Sequence, residues 1–217
     1  MDKNKNTSQF VAKTLFGLEE VLTEELKNLD AENIKVLHRA VSFSGDKKLM
    51  YEANLKLRTS LRILKRIFSF NANNDAELYK KVQEVYWDKY FGADNTIAVD
   101  SAVSSAFFTH SQFVLQRVKD AIVDQFRSKT GKRPSVDLEN PQFRINIHIY
   151  QDTCTLSLDS SGESLHKRGY RLHMVDAPLS EVLAAGLILL SGWDGKTILI
   201  DPMCGSGTFL IEGAMMA

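Results

Sequence analysis

Cysteines are scarce in this sequence, and long apolar runs are missing from it. Only Cys154 and Cys204 occur among the 217 residues, and neither stands in a C-x-x-C or Cys/His cluster. We therefore expect neither a disulfide scaffold nor a bound metal. No apolar run approaches the roughly 18–20 residues that cross a bilayer, so we expect no membrane span or membrane partner.

The sequence also lacks an excess of charge of either sign. Lys and Arg number 27 against 27 Asp and Glu, so no overall positive field attracts a polyanion, and contact with nucleic acid must be local. An apolar content of 44% predicts a globular protein of one large or two small domains. The polar start MDKNKNTSQ lacks the apolar core of a signal peptide, which predicts a cytoplasmic protein.

Strand-like and helix-like segments alternate over the first 160 residues. Apolar residues at helical spacing predict helices after Leu18, near Leu49, from an N-cap at Asp75, and from Val114 to Gly131. Between them the sequence predicts strands over Gln9–Leu15, Ile34–Ser44, Arg62–Phe70 and Thr96–Val103. Strict alternation over residues 143–150 and 153–158, around the turn Gln151-Asp152, predicts a β-hairpin. These elements indicate an α/β (α+β) fold class.

The last third of the chain has a different character. Residues 160–178 are polar and without periodicity, which is typical of a linker. A helix over Leu179–Leu190 and a short apolar strand over Thr197–Ile200 follow, and then a turn through Gly205-Ser206-Gly207 into a helix near Thr208. Such a strand-turn-helix suits an adenosine-containing cofactor, because glycine allows positive φ and close approach to the backbone. The N–H groups at the helix start favour a negative group such as a carboxylate.

Two phosphate-binding motifs compete with this interpretation. The dinucleotide fingerprint G-x-G-x-x-G needs glycine where Leu210 stands. Gly195-Lys196-Thr197 spells the end of a P-loop, but the partner glycine would fall at Leu190 and the triplet precedes the strand. We reject both. The G-x-G pattern alone is equally compatible with a tight turn that binds no ligand.

Three sequence strings resemble one family. Residues 201–214, DPMCGSGTFLIEGA, closely resemble the first motif of class I S-adenosylmethionine-dependent methyltransferases, and residues 177–193 resemble the helix that flanks the methionine end of the cofactor. Residues 162–171, GESLHKRGYR, resemble the linker of bacterial THUMP-containing 23S rRNA guanine-N2 methyltransferases, often labelled N6-adenine-specific DNA methylases.

This resemblance implies a domain organisation, a cofactor and a partner. It implies a ferredoxin-like segment (1–55), a THUMP RNA-binding domain (56–160), a linker (161–176) and the start of a Rossmann-like methyltransferase domain (177–217). The implied cofactor is S-adenosyl-L-methionine, and the implied partner is RNA, namely 23S rRNA.

The resemblance also implies a set of cofactor-binding residues. The carboxylate of Asp201 suits the ammonium group of the cofactor. Cys204 is expected to be a wall residue and not a nucleophile, since no nearby basic residue would form its thiolate. The full set is Pro178, Leu179, Glu181, Asp201, Pro202, Cys204, Gly205, Ser206, Gly207 and Thr208.

Two basic clusters are candidates for RNA contact, through salt-sensitive bonds to phosphates and stacking of an aromatic ring on an unpaired base. The segment 55–70 carries no acid, although its charges could also be a solvated face. The second cluster lies in the linker. The predicted RNA-binding residues are Arg62, Lys65, Arg66, His166, Lys167, Arg168, Tyr170 and Arg171.

The catalytic residues of the family are expected beyond Ala217. Its N-P-P-Y-type loop has no counterpart here, because Asn140-Pro141-Gln142-Phe143 lacks the second proline and precedes the cofactor motif. We therefore expect this chain to be inactive alone and to bind cofactor weakly. The hypotheses are an rRNA guanine-N2 methyltransferase, a non-catalytic RNA-binding protein with a remnant methyltransferase unit, and a DNA adenine-N6 methyltransferase.

Overall fold

The computed structural model describes residues 7–171 and 178–217. The chain divides into two compact units, one formed by residues 1–63 and 163–217 and the other by residues 64–162. The end of the predicted linker, residues 172–176, and the predicted first residue of the methyltransferase domain, Ala177, lie outside the described residues.

The first unit begins with a small α/β arrangement. Its strands β1 (Ser8–Lys13), β2 (Glu32–Leu37) and β3 (Ala40–Gly45) form an antiparallel sheet in the order β2-β3-β1. The helices α1 (Glu19–Lys27) and α2 (Lys47–Lys56) bury their apolar faces against it. The apolar spacing that predicted both helices is thereby confirmed, because their periodic leucines and alanine line the core.

The predicted single strand Ile34–Ser44 is wrong, since the structure has two strands joined by a tight turn at His38 and Arg39. Arg39 adopts a φ of 55°, which is uncommon for a residue other than glycine. Its N–H donates to Glu19 Oε1 at 2.9 Å, and its carbonyl accepts from the Thr14 N–H at 3.0 Å. These bonds hold a turn that no glycine or proline signals.

The second unit is a mixed sheet with two α-helices and a short 3-10 helix, Trp87–Lys89. Its elements are β4 (Arg62–Asn71, in this unit from Leu64), α3 (Asp75–Gln83), β5 (Thr96–Ser104), α4 (Ser111–Thr130), β6 (Ser135–Val136), β7 (Phe143–Tyr150) and β8 (Thr153–Asp159). The strand order is β4-β8-β7-β5-β6, with β5 parallel to β6 and β7 and the other pairs antiparallel. The predicted hairpin corresponds to β7 and β8 and is confirmed.

The sequence predicted the residues that cap two helices of this unit, at the C-terminus of α4 and at the N-terminus of α3. Gly131 follows α4 with a left-handed φ of 72°, as predicted for its C-terminal cap. The N-cap of α3 is Asn74, whose side chain accepts from the Glu77 N–H at 2.9 Å, and not the predicted Asp75. Asp75 is instead the first helical residue, where a carboxylate suits the helix dipole.

The rest of the first unit contains the helices α5 (Glu181–Leu190) and α6 (Thr208–Ala214). The predicted strand Thr197–Ile200 is wrong, because this segment pairs with no strand among residues 7–171 and 178–217. Ile198 and Ile200 are 89% and 78% exposed. A strand needs a neighbour for its backbone hydrogen bonds, and apolar composition alone does not supply one. The predicted mixed α/β fold class is confirmed.

Candidate cofactor site

The candidate site centres on the turn from Asp201 to Thr208, which leads into α6. The carboxylate of Asp201 accepts a hydrogen bond from the Met203 N–H at 3.1 Å, and the Gly207 N–H donates to the Cys204 carbonyl at 2.7 Å. Gly205 and Gly207 have φ angles of 51° and 75°. The positive φ expected at both glycines is confirmed.

The backbone of this turn is accessible. Residues 202–205 are exposed, and Asp201 is half-buried. A Cβ atom added at Gly205 or Gly207 would meet no neighbouring atom closer than 4.0 Å. The turn therefore leaves space in which a ligand can approach the main chain.

A second segment, Pro178–Glu181, lies beside the turn. Pro178 is exposed and Leu179 is half-buried, whereas Glu181 is only 7% exposed. One guanidinium joins this segment to the turn, because Arg171 donates to the Glu181 carboxylate and the Leu179 carbonyl as well as to the hydroxyls of Ser206 and Thr208. The structure thus brings together four residues of the predicted cofactor set.

A second ion pair lies next to the first. Arg168 Nε is 3.1 Å from Glu212 Oε1, and the Tyr170 hydroxyl donates to the same oxygen at 3.0 Å. Glu212 is fully buried in α6, and loss of hydration raises its pKa although Arg168 opposes the rise. The same burial lowers the pKa of Arg168. Burial and the adjacent Glu212 carboxylate raise the pKa of Tyr170.

Sequence reasoning missed Glu212 as the partner of Arg168. The available signal was a single carboxylate in the otherwise uncharged helix TFLIEGA, combined with a run of basic residues in the linker. A buried carboxylate requires a charged or hydrogen-bonding partner. That requirement predicts a cation opposite Glu212 but does not say which one.

The predicted RNA-binding residues of the linker differ in accessibility. Among His166, Lys167, Arg168, Tyr170 and Arg171, Lys167 alone is exposed. Arg168 and Arg171 are 13% and 17% exposed and are held by buried carboxylates. His166 is half-buried, with Nδ1 2.8 Å from the Ser164 hydroxyl. RNA contact stays a prediction for all five residues, and Lys167 is the most accessible of them.

The other predicted RNA-binding cluster lies on β4. Arg66 is exposed, while Arg62 and Lys65 are half-buried. Lys65 and Arg66 stand opposite Leu158 and Ser157 of β8 in the register of the sheet. Their contact with RNA stays a prediction.

Within residues 7–171 and 178–217, no group of three or more His, Cys, Asp or Glu side chains is arranged to hold a metal ion. In the same ranges, no helix is both long and apolar enough to cross a membrane.

Three protein families match successive parts of the chain. The RlmL ferredoxin-like domain matches residues 9–64, the THUMP domain matches residues 72–159, and the RMKL-like methyltransferase domain matches residues 168–217. The chain is thus an α/β protein that joins a ferredoxin-like and a THUMP domain to part of a methyltransferase domain. The predicted resemblance to THUMP-containing methyltransferases is confirmed.

Individual relatives agree with these matches. A Synechocystis protein named as a candidate RNA methyltransferase, slr0064, is 42% identical over 97% of this chain and 55% of its own length. The structure of a Listeria monocytogenes protein described as a predicted N6-adenine-specific DNA methylase is 32% identical, with a TM-score of 0.84 over 97% of this chain and 55% of that one.

A further structure contains the demethylated cofactor. SMU.472, a methyltransferase candidate complexed with S-adenosylhomocysteine, is 32% identical, with a TM-score of 0.80 over 97% of this chain and 56% of that chain. This chain therefore spans about half the length of the relatives it matches. The predicted boundary between residues 55 and 56 falls inside the ferredoxin-like match and stays a prediction.

Proposed function

We propose that the full-length protein is an S-adenosylmethionine-dependent RNA methyltransferase that modifies the N2 amine of a guanine in 23S rRNA in the cytoplasm. The observation that carries this proposal is the presence, in one chain, of a THUMP domain over residues 72–159 and an open glycine turn before α6. One part selects RNA, and the other holds the methyl donor.

The residues of the turn fit the amino-acid end of S-adenosylmethionine. The exposed backbone at Gly205 accommodates close approach, and the half-buried carboxylate of Asp201 suits an ammonium group. Leu179 and Thr208 border the same region through their bonds to Arg171. When bound, the cofactor supplies a methyl group on a positively charged sulfur.

The residues of this chain would bind and orient the methyl donor and the RNA. An exocyclic amine is a weak nucleophile until its lone pair is freed, so the reaction depends on precise orientation and on a proton acceptor. Exposed cations such as Arg66 and Lys167 would contact phosphates and help to fix the RNA.

Methylation of adenine N6 in DNA is the second candidate function. It is favoured by the description of the Listeria relative as a predicted N6-adenine-specific DNA methylase. The cofactor turn does not discriminate between the two bases, since it faces the methyl donor and not the acceptor. The THUMP match favours RNA.

Nucleoside analysis of the cells that carry the gene would test the substrate. We expect rRNA from a deletion strain to lack one N2-methylguanosine in the large subunit, and a plasmid copy to restore it. Mass spectrometry of digested rRNA and DNA from the same cultures measures both outcomes. Unchanged rRNA with loss of N6-methyladenine from DNA would refute the rRNA proposal in favour of the DNA alternative.

A further inference from the structure

Arg171 directs its guanidinium at two segments that are distant in sequence. Nε donates to Glu181 Oε1 at 2.7 Å, and Nη2 donates to the Leu179 carbonyl at 2.5 Å. Towards the turn, Nη2 donates to Thr208 Oγ1 at 3.0 Å and Nη1 to Ser206 Oγ at 3.2 Å. A planar guanidinium can reach acceptors on both sides at once because its five N–H donors point outward in a fixed fork.

These bonds lie where water competes weakly. The side chains of Arg171 and Glu181 are 17% and 9% exposed, and Thr208 is buried. Charge-assisted hydrogen bonds are short and strong in such surroundings. Without the guanidinium, the Glu181 carboxylate and the Leu179 carbonyl would lose this donor, whereas the Ser206 and Thr208 hydroxyls would keep each other at 3.2 Å. One side chain therefore links the turn directly to the Leu179–Glu181 segment, in addition to the packing of α5 against α6.

Neighbouring residues hold Arg171 in place. Three positions earlier, Arg168 pairs with the buried Glu212 of α6, and its Nη2 donates to the Arg58 carbonyl at 2.6 Å. Tyr170 donates to Glu212, and its ring lies 6.0 Å from the Arg171 guanidinium carbon. The segment 168–171 is thus anchored to α6, and Arg171 extends from this anchor to the turn.

We propose that Arg171 is a positioning residue for the cofactor site, which holds the Ser206–Thr208 turn and the Leu179–Glu181 segment at the separation that the donor's amino-acid end requires. This inference rests on the proposed function. It gives Arg171 a role different from the RNA contact expected from the sequence, because its donors are directed at the site and not at solvent. Lysine at this position would keep the charge but not the planar fork.

The test compares Arg171→Lys with wild type in the full-length protein. We expect S-adenosylhomocysteine to bind the variant roughly tenfold more weakly in calorimetry, as loss of one or two charge-assisted bonds would produce. The KM for S-adenosylmethionine should rise while kcat changes little, and hydrogen exchange should quicken in the two segments that Arg171 joins and not throughout the chain. RNA affinity should stay at the wild-type value.

Arg144→Lys is the matched control. Arg144 is also 17% exposed, and it also pairs with a carboxylate, Asp100, and a backbone carbonyl, that of Leu138. Its replacement should leave the affinity for S-adenosylhomocysteine unchanged. Arg171→Gln is the second variant, which keeps two N–H donors without the charge. It should bind S-adenosylhomocysteine more weakly than wild type, and it keeps the test valid if Arg171→Lys does not fold.

Several results would overturn the inference. Binding of S-adenosylhomocysteine within twofold of wild type in both Arg171 variants would do so. So would weaker binding accompanied by faster exchange throughout the chain, which indicates general unfolding, or unchanged binding with a loss of RNA affinity. If wild type itself does not bind S-adenosylhomocysteine, the proposed function fails; if wild type binds and the Arg171 variants bind equally, only this inference fails.

Discussion

Arg168 and Glu212 form an ion pair from which water is largely excluded, with side-chain exposures of 13% and 0%. Replacement of Arg168 by methionine would leave the Glu212 carboxylate without its charged partner. We expect a loss of about 3 kcal/mol in the free energy of unfolding near neutral pH. Urea denaturation of the full-length protein measures it. Lys27→Met is the control, because Lys27 and its partner Glu24 are 56% and 66% exposed and solvent screens their pair.

The same variant should change the pH dependence of stability. Burial raises the pKa of Glu212, so the folded protein holds this proton more tightly than the unfolded chain does. Stability from this group therefore falls as the pH rises from the ordinary glutamate pKa through the raised one. Without Arg168 the pKa of Glu212 would rise further, because Arg168 is the group that opposes the rise. The loss of stability should then be larger and continue to higher pH, and the variant should be closest to wild type in acid. A pH-independent difference between the two proteins would contradict this account.

The two cysteines should differ sharply in reactivity. Cys154 is fully buried, and burial raises the pKa of its thiol to about 11, whereas Cys204 is exposed in the turn. Because the thiolate is the reactive form, we expect alkylation by iodoacetamide at pH 8 to modify Cys204 and spare Cys154. Peptide mass spectrometry measures this. Cys154→Ser should leave the rate at Cys204 unchanged, and bound S-adenosylhomocysteine should slow it; equal modification of both thiols would refute the assignment.

At the scale of elements, helix α5 approaches the N-terminal part of its own unit very closely. A Cβ atom built at Gly186 would lie 2.5 Å from Leu18 Cδ1, and Leu18 is 3% exposed. We expect Gly186→Ala to lower the free energy of unfolding by about 1–3 kcal/mol through overpacking. Thermal unfolding measures this effect. Gly92→Ala is the control, since a Cβ there meets only Asn95 Oδ1 at an ordinary 3.6 Å. Equal melting temperatures for Gly186→Ala and wild type would contradict the close packing of Gly186 against Leu18.

Elements whose own sequence fixes their structure were predictable. The stripe Val114, Val118 and Ile122 is buried as its spacing predicted, and the alternation before Gln151 became β7. Elements that depend on distant partners were not predictable in this way. The turn at Arg39 is held by Glu19 and Thr14, and the apolar segment before Asp201 lacks a paired strand in the described chain.

The candidate site shows the same division. The positive φ at Gly205 and Gly207 follows from the motif itself. The burial of Arg168 and Arg171 does not, because a basic cluster in a polar linker has the same sequence pattern whether it faces RNA or two buried carboxylates. Only the fold places Glu181 and Glu212 opposite them.

At the scale of the whole molecule, the chain has no net charge, so the RNA binding that we propose has to depend on local positive charge. The side chain of Lys167 in the linker is 61% exposed, and its ammonium group lies 3.8 Å from the carboxylate of Glu163, which is itself 73% exposed. We expect Lys167→Glu in the full-length protein to weaken RNA binding and to lower the slope of log K against log salt by about 1. Fluorescence anisotropy at several salt concentrations measures both. Lys27→Glu makes the same charge change on an exposed side chain of α1 and should leave the slope unchanged; an unaltered slope for Lys167→Glu would contradict the proposed contact.

We propose that the full-length protein moves a methyl group from S-adenosylmethionine to RNA. The most direct measurement is incorporation of tritium from methyl-labelled S-adenosylmethionine, with purified full-length protein and equal amounts of unmodified 23S rRNA or unmethylated DNA. We predict label in rRNA, recovered as N2-methylguanosine after digestion, and none in DNA. Label in DNA alone, or in neither substrate while the protein binds S-adenosylhomocysteine, would contradict the claim.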